Sequence, residues 1–363
     1  MNRRNILWGS GAVLAAAGAG GLLSYAGMGS AAEQVRAAEA LRTPLSAPAD
    51  IQELVRYATL AANSHNTQPW RFVATAGGVE IHPDFSRRTP VVDPQDHHLF
   101  ISLGCAAENL ALAAAAQGRP TEPRFDPAGD GRLLCDFGSG AAATSPLFDA
   151  IPARQSTRNV YDGRAIDPAD LATLAAAAAI PGVETALITD RQQIAGLRDL
   201  ILAANDRQVA DPAFRQELMH WLRFNPAQAM ATKDGLYSVS SGNPALPGWI
   251  APTLFDMVFT QGAENDRYRQ QIDSAAGIAV FFAATDDADH WTRVGRAFQR
   301  FALQATALDI KTAHLNQPIE TGMRRELGAA AGQAAALPLL CVRFGRAPAM
   351  PYSLRRSVRE VLA

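Results

Sequence analysis

Apolar and polar positions recur along the chain with periods that predict both helices and strands. Over residues 49–62 the apolar positions return every three or four residues, which predicts a helix with Ser46 as a candidate cap. Residues 70–74 and 79–82 are predicted strands joined by a glycine turn. Residues 99–117 are apolar on nearly every face, which is typical of a helix buried between layers.

A second series of elements follows a connecting region rich in Pro, Gly and Asp at residues 119–145, which holds a short predicted strand near residues 133–137. The order helix, strand, long helix, strand echoes the first series and predicts a boundary near residue 150. We therefore expect an α+β fold with related halves at 45–150, which is degenerate, and 151–363. The second series comprises predicted helices over 167–179, 191–219 and 290–308, predicted strands over 183–189, 277–285 and 338–344, and a long irregular stretch over 233–253.

The first 32 residues differ in composition from the rest. Arg3 and Arg4 precede a stretch, residues 5–32, with no charged side chain, as in the basic and apolar regions of an export signal. The paired arginines resemble a twin-arginine signal, which exports folded proteins, and a general secretory signal is the alternative. The apolar run is also long enough to stay as a membrane anchor. We predict an exported protein, either periplasmic or anchored and facing the periplasm.

Composition and charge exclude several classes. The 363 residues are 48% hydrophobic and 19% charged, enough for a sizeable core, and the formal net charge of −2 with no long like-charge run makes nucleic acid an unsuitable partner. The three cysteines, Cys105, Cys135 and Cys341, show no CxxC spacing. A disulfide between Cys135 and Cys341 is the one pairing that we keep as an alternative to three buried free cysteines. The histidines show no metal-ligand spacing, and no metal is expected.

Two polar segments carry the first candidate chemistry. AANSHNTQPWRF, residues 61–72, places amides and a hydroxyl directly before a strand, and such groups both donate to and accept from the edge of a flat heterocycle. ARQSTRNVY, residues 153–161, alternates Arg154, Ser156 and Arg158, which share one face if the segment is extended. Two guanidinium groups with a hydroxyl between them suit a phosphate or another anion.

Two further segments lie near the C-terminus. LNQPIE, residues 315–320, predicts a bend at Pro318 whose backbone amides face a ligand edge. SLRR, residues 353–356, adds two arginines that either close on the same anion or form a solvated tail. Each segment has an ordinary structural alternative: a capped turn for 61–72, a surface strand for 153–161 and a plain loop for 315–320.

The order and spacing of these segments resemble the nitroreductase superfamily over residues 45–363. AANSHNTQPWRF is similar to the Ser-x-Asn-x-Gln-Pro-Trp segment of flavin-dependent nitroreductases, and ARQSTRNVY resembles their Arg-x-Ser-x-Arg stretch. PIE and SLRR resemble their bend beside the flavin and their final arginines. In ordinary members the arginine stretch comes first and two chains form a dimer. Here it comes second, and the first half offers only Arg42, which resembles the duplicated, Acg-like branch, an intramolecular pseudo-dimer with one complete site.

This resemblance implies an FMN-dependent oxidoreductase that reduces a small aromatic, quinone-like or nitro-type acceptor through flavin N5. The electron donor it implies is NAD(P)H, a quinol or a protein, and the chain would be a monomer or a homodimer. Arg158 would lie at the pyrimidine edge as the cation that tunes the flavin. The remaining implied contacts are Arg154, Ser156, Arg355 and Arg356 on the phosphate, Asn63, Ser64 and Asn66 from the other half, and Pro318, Ile319 and Glu320 beside the middle ring.

A second function class fits the same residues: a protein that binds or sequesters flavin without turnover. Residues 233–253 would then cover the pocket. A site that has lost its flavin is the third reading.

Overall fold

The computed structural model describes residues 27–363, and most of the predicted export signal or anchor lies outside the described residues. The predicted α+β class is confirmed. The helices are α1 Ala31–Ala40, α2 Ile51–Thr59, α3 His97–Ala116, α4 Pro146–Ala150, α5 Pro168–Ala177, α6 Arg191–Ala210, α7 Pro212–Trp221, α8 Pro226–Thr232, α9 Ala251–Val258, α10 Gln261–Asp273, α11 Ala288–Ala307, α12 Gln317–Glu320, α13 Arg324–Ala330 and α14 Val358–Val361. The strands are β1 Trp70–Ala74, β2 Gly78–Pro83, β3 Arg124–Asp126, β4 Arg132–Asp136, β5 Val183–Ile188, β6 Leu222–Arg223, β7 Leu236–Tyr237, β8 Gly277–Ala283, β9 Lys311–His314 and β10 Leu337–Gly345.

The first sheet has the strand order β1-β2-β4-β3, and every neighbouring pair is antiparallel. Its hairpin follows the predicted one, with Trp70 opposite Pro83. The cap of α2 corrects a prediction: Asp50, not Ser46, accepts a hydrogen bond from the backbone N–H of Glu53, at 2.9 Å. Asp50 directly precedes the first helical residue, which is the position an N-cap requires.

The second sheet has the strand order β5-β8-β10-β9, again antiparallel throughout, and all of β8 is buried. The helix predicted over 191–219 is two helices, α6 and α7, because Asp211 ends the first and Pro212 has no N–H to continue its hydrogen bonds. The stretch predicted as irregular contains β7, which pairs in parallel with β6, and the start of α9. The two sheets lie on either side of residue 150, and the division into halves there stays a prediction.

Between the sheets, α3 and α11 cross in direct backbone contact. A Cβ atom added to Gly104 would lie 2.0 Å from the carbonyl oxygen of Thr292, and one added to Gly295 would lie 2.0 Å from that of Ile101. Only glycine permits this approach. Cys105 on α3 adds a hydrogen bond at the crossing, because its thiol donates to the carbonyl oxygen of Gly295 at 3.1 Å. Of the described helices only α3 is long and apolar enough to cross a membrane, and most of it is buried within the protein.

Polar side chains also join the two central helices. Glu108 on α3 accepts from Arg296 at 2.9 Å and from Arg300 at 2.8 Å. Gln299 on α11 donates to the side-chain oxygen of Asn109 at 2.8 Å. Because buried charges and amides are costly unless they are paired, these contacts fix the helices in one register.

Single residues from distant parts of the chain extend the edges of both sheets. Leu362 bridges Phe72 at the edge of the first sheet, and the N–H of Ala363 donates to the carbonyl oxygen of Phe72 at 2.8 Å. Ser156 bridges Thr312 at the edge of the second sheet. The cysteine pairing left open by the sequence is not formed, because Cys135 and Cys341 are free and buried in different sheets.

Replacement of Gly295 by Ala tests the helix crossing. The added methyl group must force α3 and α11 apart, so we expect the free energy of unfolding to fall by about 1–3 kcal/mol or more. Gly196 on α6 is the control, because a Cβ atom there meets nothing within 4 Å. Gly196→Ala should change stability by less than about 1 kcal/mol, in the stabilising direction. Equal urea-unfolding midpoints for the two variants would contradict the close crossing.

Candidate active site

One cavity of about 720 Å³ brings together residues that are far apart in the sequence. This volume lies in the range of small-molecule and cofactor sites. Its walls come from the polar turn of residues 62–66, from α3, from residues 154–158 and from the segment 351–355. The predicted residues that line it are Asn63, Ser64, Asn66, Arg154, Ser156, Arg158, Glu320 and Arg355.

The polar turn and the two residues that follow it have an unusual backbone. His65, Asn66 and Gln68 all have φ between 46° and 54°, a left-handed conformation that side-chain-bearing residues rarely adopt. The central helices hold the turn in place: the N–H of Ala62 donates to Gln299 at 3.2 Å, and the N–H of Ser64 donates to Ser102 at 3.2 Å. The helix crossing therefore determines where the turn meets the cavity.

The glutamine and tryptophan of the predicted motif build the walls and do not line the cavity. Gln68 is fully buried; its side chain donates to the carbonyl oxygen of Lys233 at 2.9 Å and accepts from the N–H of Arg356 at 2.8 Å. Trp70 is fully buried in the hydrophobic core. Asn66 lines the cavity, but its amide is engaged by Gly235, by Leu354 and by Arg355. These residues join the turn to a loop and to the C-terminal segment.

Three arginines meet at one end of the cavity without a carboxylate. Arg154 and Arg355 are buried and Arg42 is half-buried, and within residues 27–363 none of them forms an ion pair within 4.0 Å. Burial lowers the pKa of Arg154 to about 10, and burial with repulsion from Arg154 lowers the pKa of Arg42 to about 10. Burial, then Arg42 and Arg154, lowers the pKa of Arg355. Such a cluster is an anion site, because an anion relieves both repulsion and desolvation.

The protein fixes these guanidinium groups to different degrees. Arg355 donates to the carbonyl oxygens of Thr59 at 2.6 Å and Ala61 at 3.2 Å, which anchors it beyond the end of α2. Arg154 donates to the carbonyl oxygen of Leu60 at 2.9 Å, and its Nε is buried without a partner in the described part of the chain. Arg355 is thus positioned largely by the fold, whereas Arg154 keeps donor capacity for a ligand.

Arg158 is the free cation on another wall. Its guanidinium forms no hydrogen bond or ion pair to any residue in the range 27–363, although its backbone carbonyl accepts from Gln271 at 2.7 Å. Arg343 supports the segment: it is fully buried, donates to the carbonyl oxygens of Thr157 at 3.3 Å and Asn159 at 2.8 Å, and stacks on an aromatic ring. The segment around Arg158 is therefore held through its backbone, and the side chain is left available.

Histidines near Arg158 are neutral at physiological pH. Burial, and then the charge of Arg158, lowers the pKa of His65 to about 4. Burial, Arg158 and Arg154 together lower the pKa of His314 to about 3. Burial also lowers the pKa of His98, which lies on α3. Each imidazole therefore offers one donor and one acceptor to the cavity and no charge.

Glu320 is a buried titratable acid that lines the cavity. Burial raises its pKa to about 7. Gln208 donates to one carboxyl oxygen at 2.5 Å, and Nε2 of His98 lies 3.6 Å from the other. Gln208 and Glu320 also line a second cavity of about 210 Å³, so this carboxyl group lies between the two spaces.

Three predicted contacts lie elsewhere. Pro318 and Ile319 are buried but do not line the cavity, because residues 317–320 form the helical turn α12 and direct Ile319 into a hydrophobic cluster. Asn316 and Gln317 line the cavity in their place. Arg356 does not line it either: its guanidinium donates to the carbonyl oxygen of Glu360 at 2.9 Å.

Sequence reasoning missed several lining residues. Arg42 was visible only as a lone arginine of the first half, whereas its position beside Arg154 depends on the fold. His98 and His314 have no local signature, because each is brought to the cavity by a buried element.

Six of the fifteen buried polar atoms that lack a partner in the described part of the chain belong to residues that line this cavity. Because buried polar groups in native proteins are normally paired, this distribution indicates a polar ligand in the inner cavity. They are Arg42 Nε, Arg154 Nε, His98 Nε2, His314 Nδ1, Ser240 Oγ and Gln317 Oε1.

Comparison with known proteins supports the nitroreductase superfamily as the class. No family model matches the chain. The chain is similar to Rv3131 of Mycobacterium tuberculosis, which is named as a candidate NAD(P)H nitroreductase, with 26% identity over 328 residues, 86% of this chain and 90% of the relative. It is also similar to acg of the same organism, named in the same way, with 25% identity over 327 residues, 86% of this chain and 94% of the relative.

Similarity to solved structures is weaker. The FMN-dependent nitroreductase NfnB from Mycobacterium smegmatis, solved in complex with NADPH, matches with 14% identity and a TM-score of 0.39, over 60% of this chain and 91% of that one. A nitroreductase with bound FMN from Bacteroides fragilis matches with 16% identity and a TM-score of 0.35, over 56% of this chain and 90% of that one.

The raised pKa of Glu320 predicts how stability depends on pH. Between pH 4.5 and about 7 the folded protein keeps a proton on Glu320 that the unfolded chain releases, so this group's contribution becomes less favourable as pH rises. Glu320→Gln should therefore gain stability over the wild type between pH 5 and pH 8, by up to roughly 3 kcal/mol. Urea unfolding of ligand-free protein at both pH values measures this. The control is Glu326→Gln on the exposed face of α13; the same gain in both variants would contradict the assignment.

Proposed function

We propose that this chain is an FMN-dependent oxidoreductase of the Acg-like branch of the nitroreductase superfamily, which reduces a small aromatic, quinone-like or nitro-type acceptor. The observation that carries the proposal is the group of Arg42, Arg154 and Arg355, which converge on one end of a polar cavity without a carboxylate. The names of the curated relatives, which cover 86% of this chain, support the same class of reaction.

The arginine group fits the phosphate of FMN. A phosphate carries close to two negative charges at neutral pH, and guanidinium groups bind its oxygens through charge-assisted hydrogen bonds. Arg154 would donate through the nitrogen atoms that have no partner among residues 27–363, and Ser156 would add a hydroxyl from the same segment. Arg42 would take the role that the sequence suggested for Arg356.

The rest of the inner cavity fits the flavin ring. Bound FMN supplies hydride or two-electron transfer at N5. Arg158 would stabilise negative charge at the pyrimidine edge, because its guanidinium is not paired within residues 27–363. Asn63, Ser64 and neutral His314 would donate and accept hydrogen bonds along the ring edges.

Glu320 is suited to hold a proton for the reaction. Its carboxyl group is half protonated near pH 7, lies 3.6 Å from Nε2 of His98, and borders the smaller second cavity. A group with a pKa near the working pH both gives and recovers a proton readily. Glu320 would thus hold the proton at its Oε1, and Gln208 would orient the carboxyl group.

The electron donor and the location are parts of the same proposal. The relatives' names favour a nicotinamide donor, whereas export through residues 1–32 would favour a quinol or a protein. The basic and apolar order of residues 1–32 supports export to the periplasm, with or without retention of an anchor. Cell fractionation with an antibody to the mature chain tests the location, and a wholly cytoplasmic protein would refute export.

Flavin binding tests the phosphate site directly. We expect purified protein to be yellow and Arg42→Ala, Arg154→Ala double substitution to weaken FMN binding by tenfold or more, since each lost charge-assisted bond costs about 1.5–3 kcal/mol. Fluorescence titration measures this for FMN and for riboflavin, which lacks the phosphate and should bind both proteins alike. Arg164→Ala, an exposed arginine paired with Asp162, is the matched control. Unchanged FMN affinity in the double variant would remove the phosphate assignment.

A flavin-storage protein is the second candidate, because the stretch 233–253 contributes Leu236, Ser238 and Asn243 to the cavity wall. Stopped-flow reduction followed by mixing with a quinone or a nitroaromatic separates the two functions. Rapid reoxidation by an acceptor supports the enzyme, and flavin that stays reduced with every acceptor supports storage.

A further inference from the structure

The cavity is more apolar along α7 and α9, here called its outer part, than where the arginines lie, although Ser240, Ser241 and Asn243 of the loop before α9 also line it. The inner walls hold the arginines, histidines and amides described above. The outer walls come mostly from α7, α9 and the loop before α9. Their apolar lining residues include Phe214, Leu218, Leu246, Leu254, Phe255 and Val258. A ligand that reaches the inner site through this region is favoured if part of it is apolar, because it then buries apolar surface against these walls.

Three large apolar side chains on α9 and just before it are exposed. Trp249 is 71% exposed, Met257 is 70% exposed and Val258 is 64% exposed. We call Trp249, Met257 and Val258 the apolar rim. Val258 also lines the cavity, so the rim lies at its mouth. Exposed clusters of this kind mark contact with a protein or a membrane.

The charge on α9, the helix that carries Met257 and Val258, does not oppose contact with lipid. Asp256 is the only charged residue of α9, and its carboxylate is paired with Arg215 at 2.9 Å. The tryptophan is also the residue type that favours the interface between lipid and water, where its ring and its N–H are both satisfied.

The N-terminal end of the described chain lies on the element that holds the rim loop. The carbonyl oxygen of Met28 accepts from the N–H of Ala227 on α8, at 2.8 Å. Asn225, the cap of α8, donates to the carbonyl oxygen of Leu246 at 3.0 Å, three residues before Trp249. Residues 5–26, which precede this point, contain no charged side chain. Met28 is therefore linked through α8 to the loop that carries Trp249.

We propose that the apolar rim docks on a lipid bilayer to which residues 5–26 hold the chain, and that the outer cavity takes a membrane-dissolved molecule with a flat quinone-type ring and an apolar tail. The substrate part rests on the proposed function, whereas the docking part does not. Tethering by the N-terminal segment keeps the rim at the surface, so a small apolar contact is sufficient. The ring then passes inward, and the tail stays against the outer walls.

Quenching of tryptophan fluorescence by brominated lipid tests the docking. The full chain is placed in phosphatidylcholine and phosphatidylglycerol vesicles in a Trp8→Phe background, which removes the tryptophan of the N-terminal segment. Trp70 and Trp221 are buried, so Trp249 should give most of the bromolipid-dependent quenching, and Trp249→Phe should remove at least half of it. The matched control is Trp291→Phe, which should keep it. Quenching that is unaffected by Trp249→Phe would overturn the docking.

A second measurement separates the docking from the flavin function. In vesicles, Met257→Ser should slow flavin reoxidation by a long-tailed quinone severalfold and leave reoxidation by a short, water-soluble quinone unchanged. If the wild type and Met257→Ser reoxidise at equal rates with the long-tailed and with the short quinone, the substrate class is overturned. If the purified protein binds no flavin but brominated lipid still quenches Trp249, only the proposed function is refuted and the docking stands. A dimer in light scattering that Trp249→Ser converts to a monomer would assign the rim to a second copy and overturn the bilayer.

Discussion

The close crossing of α3 and α11 at Gly104 and Gly295 is the constraint on which the site depends. At this distance the helices have essentially one register, which the ion pairs of Glu108 and the amide pair of Asn109 with Gln299 then fix. Gln299 and a hydroxyl on α3 also hold the polar turn by its backbone. A shift in the crossing would therefore move one wall of the cavity relative to the arginines on the other.

Several features of the site are locally unfavourable in free energy. Left-handed residues in the turn are strained, and Arg42, Arg154 and Arg355 repel one another in a partly dehydrated place. Such features persist because surrounding contacts over-determine them, here the buried Gln68, the fully buried Arg343 and the central helices. An anionic ligand would relieve the repulsion. Binding and folding stability are therefore coupled, and the ligand-bound protein should be the more stable form.

The sequence predicted local elements well where one pattern dominated. Strand β1 and the buried helix α3 lie within two residues of their predicted limits, because alternation and an all-round apolar face have few competing explanations. The break at Asp211 was missed although Pro212 marks it, since apolar periodicity continues across the proline. Strand β3 was missed because a short edge strand within a Pro- and Gly-rich region has little pattern of its own.

The site was predictable as a set of segments and not as a set of contacts. Arg154, Ser156 and Arg158 line the cavity as their alternation suggested, whereas Arg356, next to the lining Arg355, points to Glu360. Neighbouring residues in an extended segment face opposite ways, and the sequence alone does not say which of the two faces inward. Arg42 joins the cluster only through a contact between distant segments.

Charge divides the cavity into two regions with different ligands. At neutral pH, His65 and His314 are uncharged and Glu320 is partly protonated, so arginine supplies most of the charge of the inner region. This charge favours a negatively charged ligand in the inner region, which a phosphate-bearing cofactor is and a neutral acceptor is not. The outer walls offer mainly apolar surface, and a neutral molecule that moves there from water has a small free-energy cost of desolvation. The same cavity can thus retain a charged cofactor at its inner end while exchanging uncharged substrates at its mouth.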